Sequence, residues 1–215
     1  MEPLGRARRQ NQPVEWEKKR DHIVARAAEL FARQGVDGVS MRDIGRNCGL
    51  HVSSIYHYFP SKELIYEAVR QWAVISTTEV ALDSLVGDTP AKRLEAFVRA
   101  LTRHFMEDQP QMRILEREVL HLNASNRPPL KFPAISNILT GRLTEDIEAL
   151  KPSLLNVLGS ARTSELIWDV AWGVTRYSPA HALASPTLAR RHDIDTIADE
   201  VWMLISKLLD IPLGT

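Results

Sequence analysis

Apolar residues recur at helical spacing along nearly the whole chain, and no stretch alternates as a half-buried strand does. Glycine, proline and small polar residues punctuate this pattern into separate helices. The expected fold class is therefore all-α, with about nine helices: three short ones at the N-terminus, a long fourth, and a larger helical body. The first helix runs from about Glu15 to Gln34, with Ile23, Ala27, Leu30 and Phe31 on one face and Gly35 as a left-handed cap. Ser40 is a good N-cap for a second helix, whose Met41, Ile44, Gly45 and Cys48 form one buried stripe. Gly49 ends it.

A third helix is expected over about Val52 to Phe59, stopped by Pro60, and Ser61 can cap the long fourth helix. Thr89 and Pro90 open the fifth helix as cap and first residue, and Pro110 opens the sixth. The stretch "NASNRPPLK" reads as a loop. Helices then follow over about Phe132 to Leu150, over "TSELIWDVAWGVTRYS", and from about Asp193 to the end.

The segment "CGLHVSSIYHYFPSKELI" crowds polar rings onto a short helix. Val52, Ile55 and Phe59 share one face and should pack on Met41, Ile44, Cys48 and Leu50. Ser53, Ser54, Tyr56, His57 and Tyr58 are left on the sides and outer face. Two short helices joined at Gly49-Leu50, the second stopped at once, are the layout of a helix-turn-helix. Gly45 costs about 1 kcal/mol relative to alanine inside a helix, so a close approach of the two helices is its expected reason. Serine hydroxyls, tyrosine tips and imidazoles suit base edges and phosphates in a major groove. Lys62, in the first turn of the fourth helix, opposes that helix's dipole, and a phosphate there would reverse the sign.

Net charge is zero, but it is unevenly spread. Residues 1–72 hold 12 Lys and Arg against 9 Asp and Glu, and the remainder holds 15 against 18. The positive end coincides with the aromatic segment. One cysteine, Cys48, excludes a disulfide within the chain and fits a reducing compartment. No apolar run approaches the roughly 18 residues of a membrane span, and the polar, Arg-rich N-terminus lacks a secretory core. A cytoplasmic protein without a membrane partner is expected. No Gly-rich phosphate loop, His-Glu-x-x-His or nucleophile elbow occurs, so no catalytic residue, metal or cofactor is expected.

The order "AAELFARQGVDGVSMRDIGRNCGL" followed by "VSSIYHYFPSKELI" resembles the DNA-binding domain of the TetR family of one-component transcriptional regulators. The resemblance is strong over Glu17 to Ala68. Beyond that it rests on helix count, spacing and the final amphipathic helices. It implies an arm over residues 1–14, a DNA-binding domain over 15–66 and an effector-binding and dimerisation domain over 67–215. Ser40 and Arg42 match phosphate-contacting positions of the second helix. Val52, Ser53, Ser54 and His57 match groove-facing positions, and Tyr56 and Lys62 match phosphate contacts. His51 departs from the family pattern, which has Ser or Thr as cap; it either caps weakly or meets a phosphate itself. Ser53, where the family often has Gly or Ala, is a candidate for altered base preference. The arm's Arg6, Arg8 and Arg9 are either a solvated tail or minor-groove contacts.

The resemblance further implies a homodimer through the last two long helices, a palindromic double-stranded operator, and a small-molecule effector held in the body, where apolar walls with few polar groups fit a lipophilic or acyl ligand. Phe97, Leu101, Phe105, Leu115, Trp168 and Trp172 are the candidate apolar lining. His104, Glu116, His121 and Arg142 are the candidate polar contacts. Effector binding would swing the long fourth helix and misplace the recognition helices. The alternative is a DNA-binding regulator governed by a protein partner, with no small-molecule effector.

Overall fold

The computed structural model describes residues 6–106, 110–121, 134–153 and 194–212, together with 159 and 162. Among them are eight helices and no strand: α1 (Arg6–Gln34), α2 (Met41–Cys48), α3 (Val52–Tyr58), α4 (Lys62–Asp83), α5 (Pro90–Met106), α6 (Pro110–His121), α7 (Ala134–Leu150) and α8 (Ile194–Leu208). The all-α expectation holds. The helix expected over 163–178, with Trp168 and Trp172, lies outside the described residues.

α1 starts at Arg6 rather than near Glu15, and so takes in much of the segment expected as an arm. Its Arg, Ala and Gln residues are good helix formers and favour this continuation, which Pro13 opposes, since a proline lacks an N–H and its ring crowds the carbonyl four residues back. α3 stops at Tyr58, and Phe59 serves as its C-cap with extended backbone. Pro60 accounts for that stop, because the residue before a proline is pushed out of helical geometry.

The described residues form two compact units. The first contains α1, α2, α3, α4 as far as Val74, and α6. Its core joins Ile23, Ala27 and Phe31 of α1 to Ile44 of α2, Ile55 of α3, Phe59, Ile65 and Val69 of α4, and Ile114 of α6. Met41, Cys48 and Leu50 pack against this cluster as partly buried residues, as the stripe on the second helix predicts. Burial pushes the Cys48 thiol up, so it stays a protonated core side chain. Gly35 and Gly49 end α1 and α2 with φ of 74° and 67°, conformations that side chains with a Cβ rarely take.

Gly45 has the packing role its position suggests. A Cβ built on it would lie 2.9 Å from the carbonyl oxygen of Leu50 and 3.5 Å from the Cα of Val52. The backbone entering α3 therefore rests directly on α2.

α6 follows α5 in the chain but belongs to the first unit. Arg117 donates hydrogen bonds to the carbonyls of Phe31 (2.8 Å) and Ala32 (3.0 Å), near the end of α1. The Ala32 carbonyl is among the acceptors that a helix end leaves short of partners, while that of Phe31 also accepts from the Gly35 N–H at 2.9 Å. Next to it, Glu118 accepts from the Tyr66 hydroxyl at 2.8 Å and pairs with Arg70 at 2.7 Å. Arg70 is 2% exposed and Glu118 7%, so this pair is buried, and Arg70 also reaches Glu67 at 2.5 Å.

The second unit contains α4 from Ile75, α5, α7 and α8. α5 packs on both α7 and α8. Leu94, Phe97, Val98, Leu101 and Phe105 of α5 are buried, as are Leu143 and Ile147 of α7 and Ile197, Val201 and Ile205 of α8. Arg93 pairs with Asp146, Arg99 with Asp199, and Arg103 with Asp195 along the edges of these contacts. Asp146 is itself buried, whereas the carboxylates of the other two pairs are exposed; exposed pairs contribute about 0–1 kcal/mol each, so burial of the apolar faces supplies most of the cohesion.

Two substitutions test these contacts. Gly45→Ala gains about 1 kcal/mol of helix propensity but forces α2 off Leu50. Overpacking costs typically about 1–3 kcal/mol, so chemical denaturation should report a net loss; a gain would show slack in the contact. Glu118→Ala removes a buried carboxylate from Arg70 and Tyr66, and unfolding should show a loss near the lower end of about 3–5 kcal/mol, since Glu67 still pairs with Arg70.

Candidate nucleic-acid interface

The interface is built on the two caps that start α2 and α3. Ser40 has extended backbone and forms a capping box with Asp43. The Asp43 N–H donates to Ser40 Oγ at 3.2 Å, and the Ser40 N–H donates to Asp43 Oδ2 at 3.0 Å. The Ser40 hydroxyl donates to the same carboxylate at 2.5 Å. These hydrogen bonds, the hydroxyl's first, hold the Asp43 carboxyl below the usual carboxylate value. Arg42 follows in the first turn of α2, exposed.

His51 caps α3. Its Nδ1 accepts from the Ser53 N–H at 3.4 Å and lies 2.8 Å from Ser53 Oγ. The poor intrinsic capping of an imidazole is thus offset by a second bond from the same residue.

On α3, Ile55 is buried, and Phe59 just beyond it is buried too. Ser53, Tyr56 and His57 are exposed, while Val52, Ser54 and Tyr58 are half-buried. Tyr56 is 51% exposed, high for an aromatic residue of this size. The separation into an inner and an outer face follows the sequence pattern, with one adjustment. Tyr58 leans on α1, its ring centre 5.5 Å from that of Trp16, and His57 stands edge-on to Tyr58 at 5.4 Å. Arg20 lies over the Phe59 ring at 5.1 Å. α1 thus braces the far end of α3 through two residues that the sequence reading did not single out. Trp16 did carry a signal, since it precedes Ile23 by two helical turns on the same face.

Lys62 is half-buried at the first position of α4. Ser61 Oγ accepts from the Leu64 N–H at 3.3 Å. Glu63 already complements the positive end of the helix: its own backbone N–H, and then the Ser61 hydroxyl, hold its carboxyl below the usual range. An unanswered dipole is therefore not what marks Lys62. Its position directly after the α3 stop is.

The candidate effector residues divide. Phe97, Leu101, His104 and Phe105 are buried on α5 in the second unit. The His104 Nε2 lies 3.3 Å from the Thr77 hydroxyl of α4. Leu115 instead packs against the core of the first unit, because α6 belongs there. Arg142 is exposed on α7. The side chains of Glu116 and His121, like Trp168 and Trp172, lie outside the described residues. Thr102, which the sequence reading passed over, is fully buried on α5, and its hydroxyl has no hydrogen-bond partner among the described residues. A threonine on an apolar helix face was the available signal. No group of three His, Cys, Asp or Glu that could hold a metal occurs among the described residues.

A short helix docked by a glycine contact, with hydroxyls and imidazoles turned outward, defines a helix-turn-helix module on an all-helical chain. Comparison with known proteins narrows this. Residues 23–69 match the profile of the bacterial regulatory proteins of the tetR family. The transcriptional repressor KstR2 of Mycolicibacterium smegmatis is 31% identical over 85 residues, 35% of this chain and 42% of the repressor. The transcriptional repressor NicS of Pseudomonas putida is 27% identical over 135 residues, 62% of this chain and 63% of NicS. The matches thus span less than two thirds of each of these relatives. The TetR-family regulator PfmR of Thermus thermophilus shares the fold with a TM-score of 0.57 at 20% identity, over 84% of this chain and 97% of PfmR. AibR, solved in complex with isovaleryl coenzyme A and operator DNA, gives a TM-score of 0.63 at 16% identity, over 86% of this chain and 97% of that one. Residues 23–69 therefore carry the likeness to the tetR family of bacterial regulatory proteins, and the solved structures share the fold.

The lowered value of Asp43 carries a pH signature. A depressed folded value means that the cap's contribution is fully present above the ordinary 3.8 and is lost as pH falls through the folded value. Asp43→Asn should be less stable than the parent at neutral pH, and the gap should close in acid. A gap that stays constant in denaturation series across that range would show that the carboxylate charge is immaterial.

Proposed function

We propose that this chain is a ligand-responsive transcriptional repressor that binds a palindromic operator in double-stranded DNA as a homodimer. The observation that carries the reading is the exposed Ser53, Tyr56 and His57 face of α3, held by Ile55 and Phe59 within a TetR-type domain. Ser53, Ser54, Val52 and His57 are assigned to base edges, and Ser40, Arg42, Tyr56 and Lys62 to phosphates. The chain acts by binding, without catalysis, in the cytoplasm; no described helix is long and apolar enough to cross a membrane.

Dimerisation is assigned to the last two long helices. In support, α8 leaves Leu204 53% exposed, with Met203 and Leu208 also exposed, although its other face is fully packed. A two-fold pair would set recognition helices on half-sites about 34–36 Å apart or multiples of it. The effector is assigned to the second unit, beside Phe97, Leu101 and Phe105, with Thr102 and His104 as its polar contacts. That AibR was solved with isovaleryl coenzyme A supports an acyl effector. Binding would favour a state in which α4 carries the recognition helices out of register, weakening operator binding only by the effector's preference for that state.

The test is a genome-wide binding selection with the purified protein, with and without metabolite extract. An enriched palindrome released by extract is expected. A palindrome that no extract moves would favour control by a protein partner, and no enrichment at all would overturn the reading. Lys62→Ala should weaken binding to all sequences and flatten the log–log salt slope by roughly 0.9. His57→Ala should instead alter sequence preference, costing about 1–3 kcal/mol at its base.

A further inference from the structure

We infer that His51 is a positioning residue that locks the Ser53 hydroxyl as a hydrogen-bond acceptor, so that the base facing Ser53 is selected to be adenine or cytosine. The inference rests on the proposed DNA-binding role of α3 and adds a rule for one of its contacts.

The argument is one of proton counting. His51 Nδ1 lies 3.4 Å from the Ser53 backbone nitrogen and 2.8 Å from Ser53 Oγ. A backbone N–H can only donate, so Nδ1 presents its lone pair there, the arrangement of the ring tautomer with its N–H at Nε2. The Ser53 hydroxyl, at the shorter distance, then donates to the same lone pair. A serine hydroxyl has a single proton. With that proton turned back onto His51, Ser53 offers only lone pairs to anything outside.

Both residues are exposed, so this polarity faces outward. A free serine can match any base edge, because its hydroxyl rotates between donor and acceptor roles. The locked one cannot. In the major groove adenine and cytosine carry an amino donor, whereas guanine and thymine present acceptors at the corresponding positions. An acceptor-only Ser53 pairs with the first two and is left facing a lone pair by the others.

The experiment is a selection on a randomised half-site, run in parallel with the full-length parent, S53A, H51A and H51N. The parent should prefer adenine or cytosine at one symmetric position by roughly threefold to tenfold, the ratio expected of one hydrogen bond. S53A should erase that preference at that position alone. H51A should relax it, because the freed hydroxyl also serves guanine and thymine. H51N should restore it, since the amide oxygen accepts both the N–H and the hydroxyl and asparagine is a strong cap. A helix that merely frays in H51A lowers affinity for all four bases alike and leaves their ratio unchanged. That result, a parent preference for guanine or thymine at the position S53A erases, or no position responding to S53A would each overturn the inference. If H51A does not fold, the parent, S53A and H51N still decide it. Failure of the parent to enrich any sequence would sink the proposed function as well, and is distinguishable from these.

Discussion

The contact between Gly45 and the Leu50 carbonyl is the constraint on which the rest of the DNA-facing unit depends. α3 has 7 residues, two turns, far below the length at which a helix holds itself in water. It exists because Ile55 and Phe59 are buried against Ile44 and the α1 face, and that burial requires the backbones to approach within the reach of a missing methyl group. Once α3 is seated, its other residues have no choice of face. The outward set of Ser53, Tyr56 and His57 follows from the inward set.

A second constraint comes from a helix remote in sequence. α6 closes the end of α1 through Arg117 and buries Glu118 against Tyr66 and Arg70 of α4. A buried ion pair adds little net stability over apolar packing, but losing one partner is costly. The chain thus leaves the first unit along α4, builds α5 in the second, and returns in α6.

Much of the N-terminal unit was legible in the residues. Ser40, Gly35, Gly49 and Pro60 mark helix ends by local chemistry, and the stripes on the second and third helices name their buried faces without reference to the rest of the chain. Thr89 likewise accepts from the Lys92 N–H at 3.3 Å, where the Thr-Pro pair predicted a start. The candidate interface was legible for the same reason, being what a short amphipathic helix leaves over. The brace of Trp16 on Tyr58 and Arg20 over Phe59 was not, since it joins residues separated by α2 and by the crossing angle of α1. Leu115 shows the same limit: its apolar character was evident, but not which unit would bury it.

The sequence alone determined the helical class, the capped ends, the inner and outer faces of α3 and the family to which that segment belongs, because each depends on neighbours within a few residues. Tertiary structure decided that α6 completes the first unit, that Arg70 and Glu118 meet away from water, and that Tyr58 turns from the outer face toward α1. It also brought the His51 Nδ1 within hydrogen-bond reach of both the N–H and the hydroxyl of Ser53. Those outcomes depend on distances between groups whose separation along the chain says nothing about their separation in space, or on a side-chain rotation that residue type leaves open.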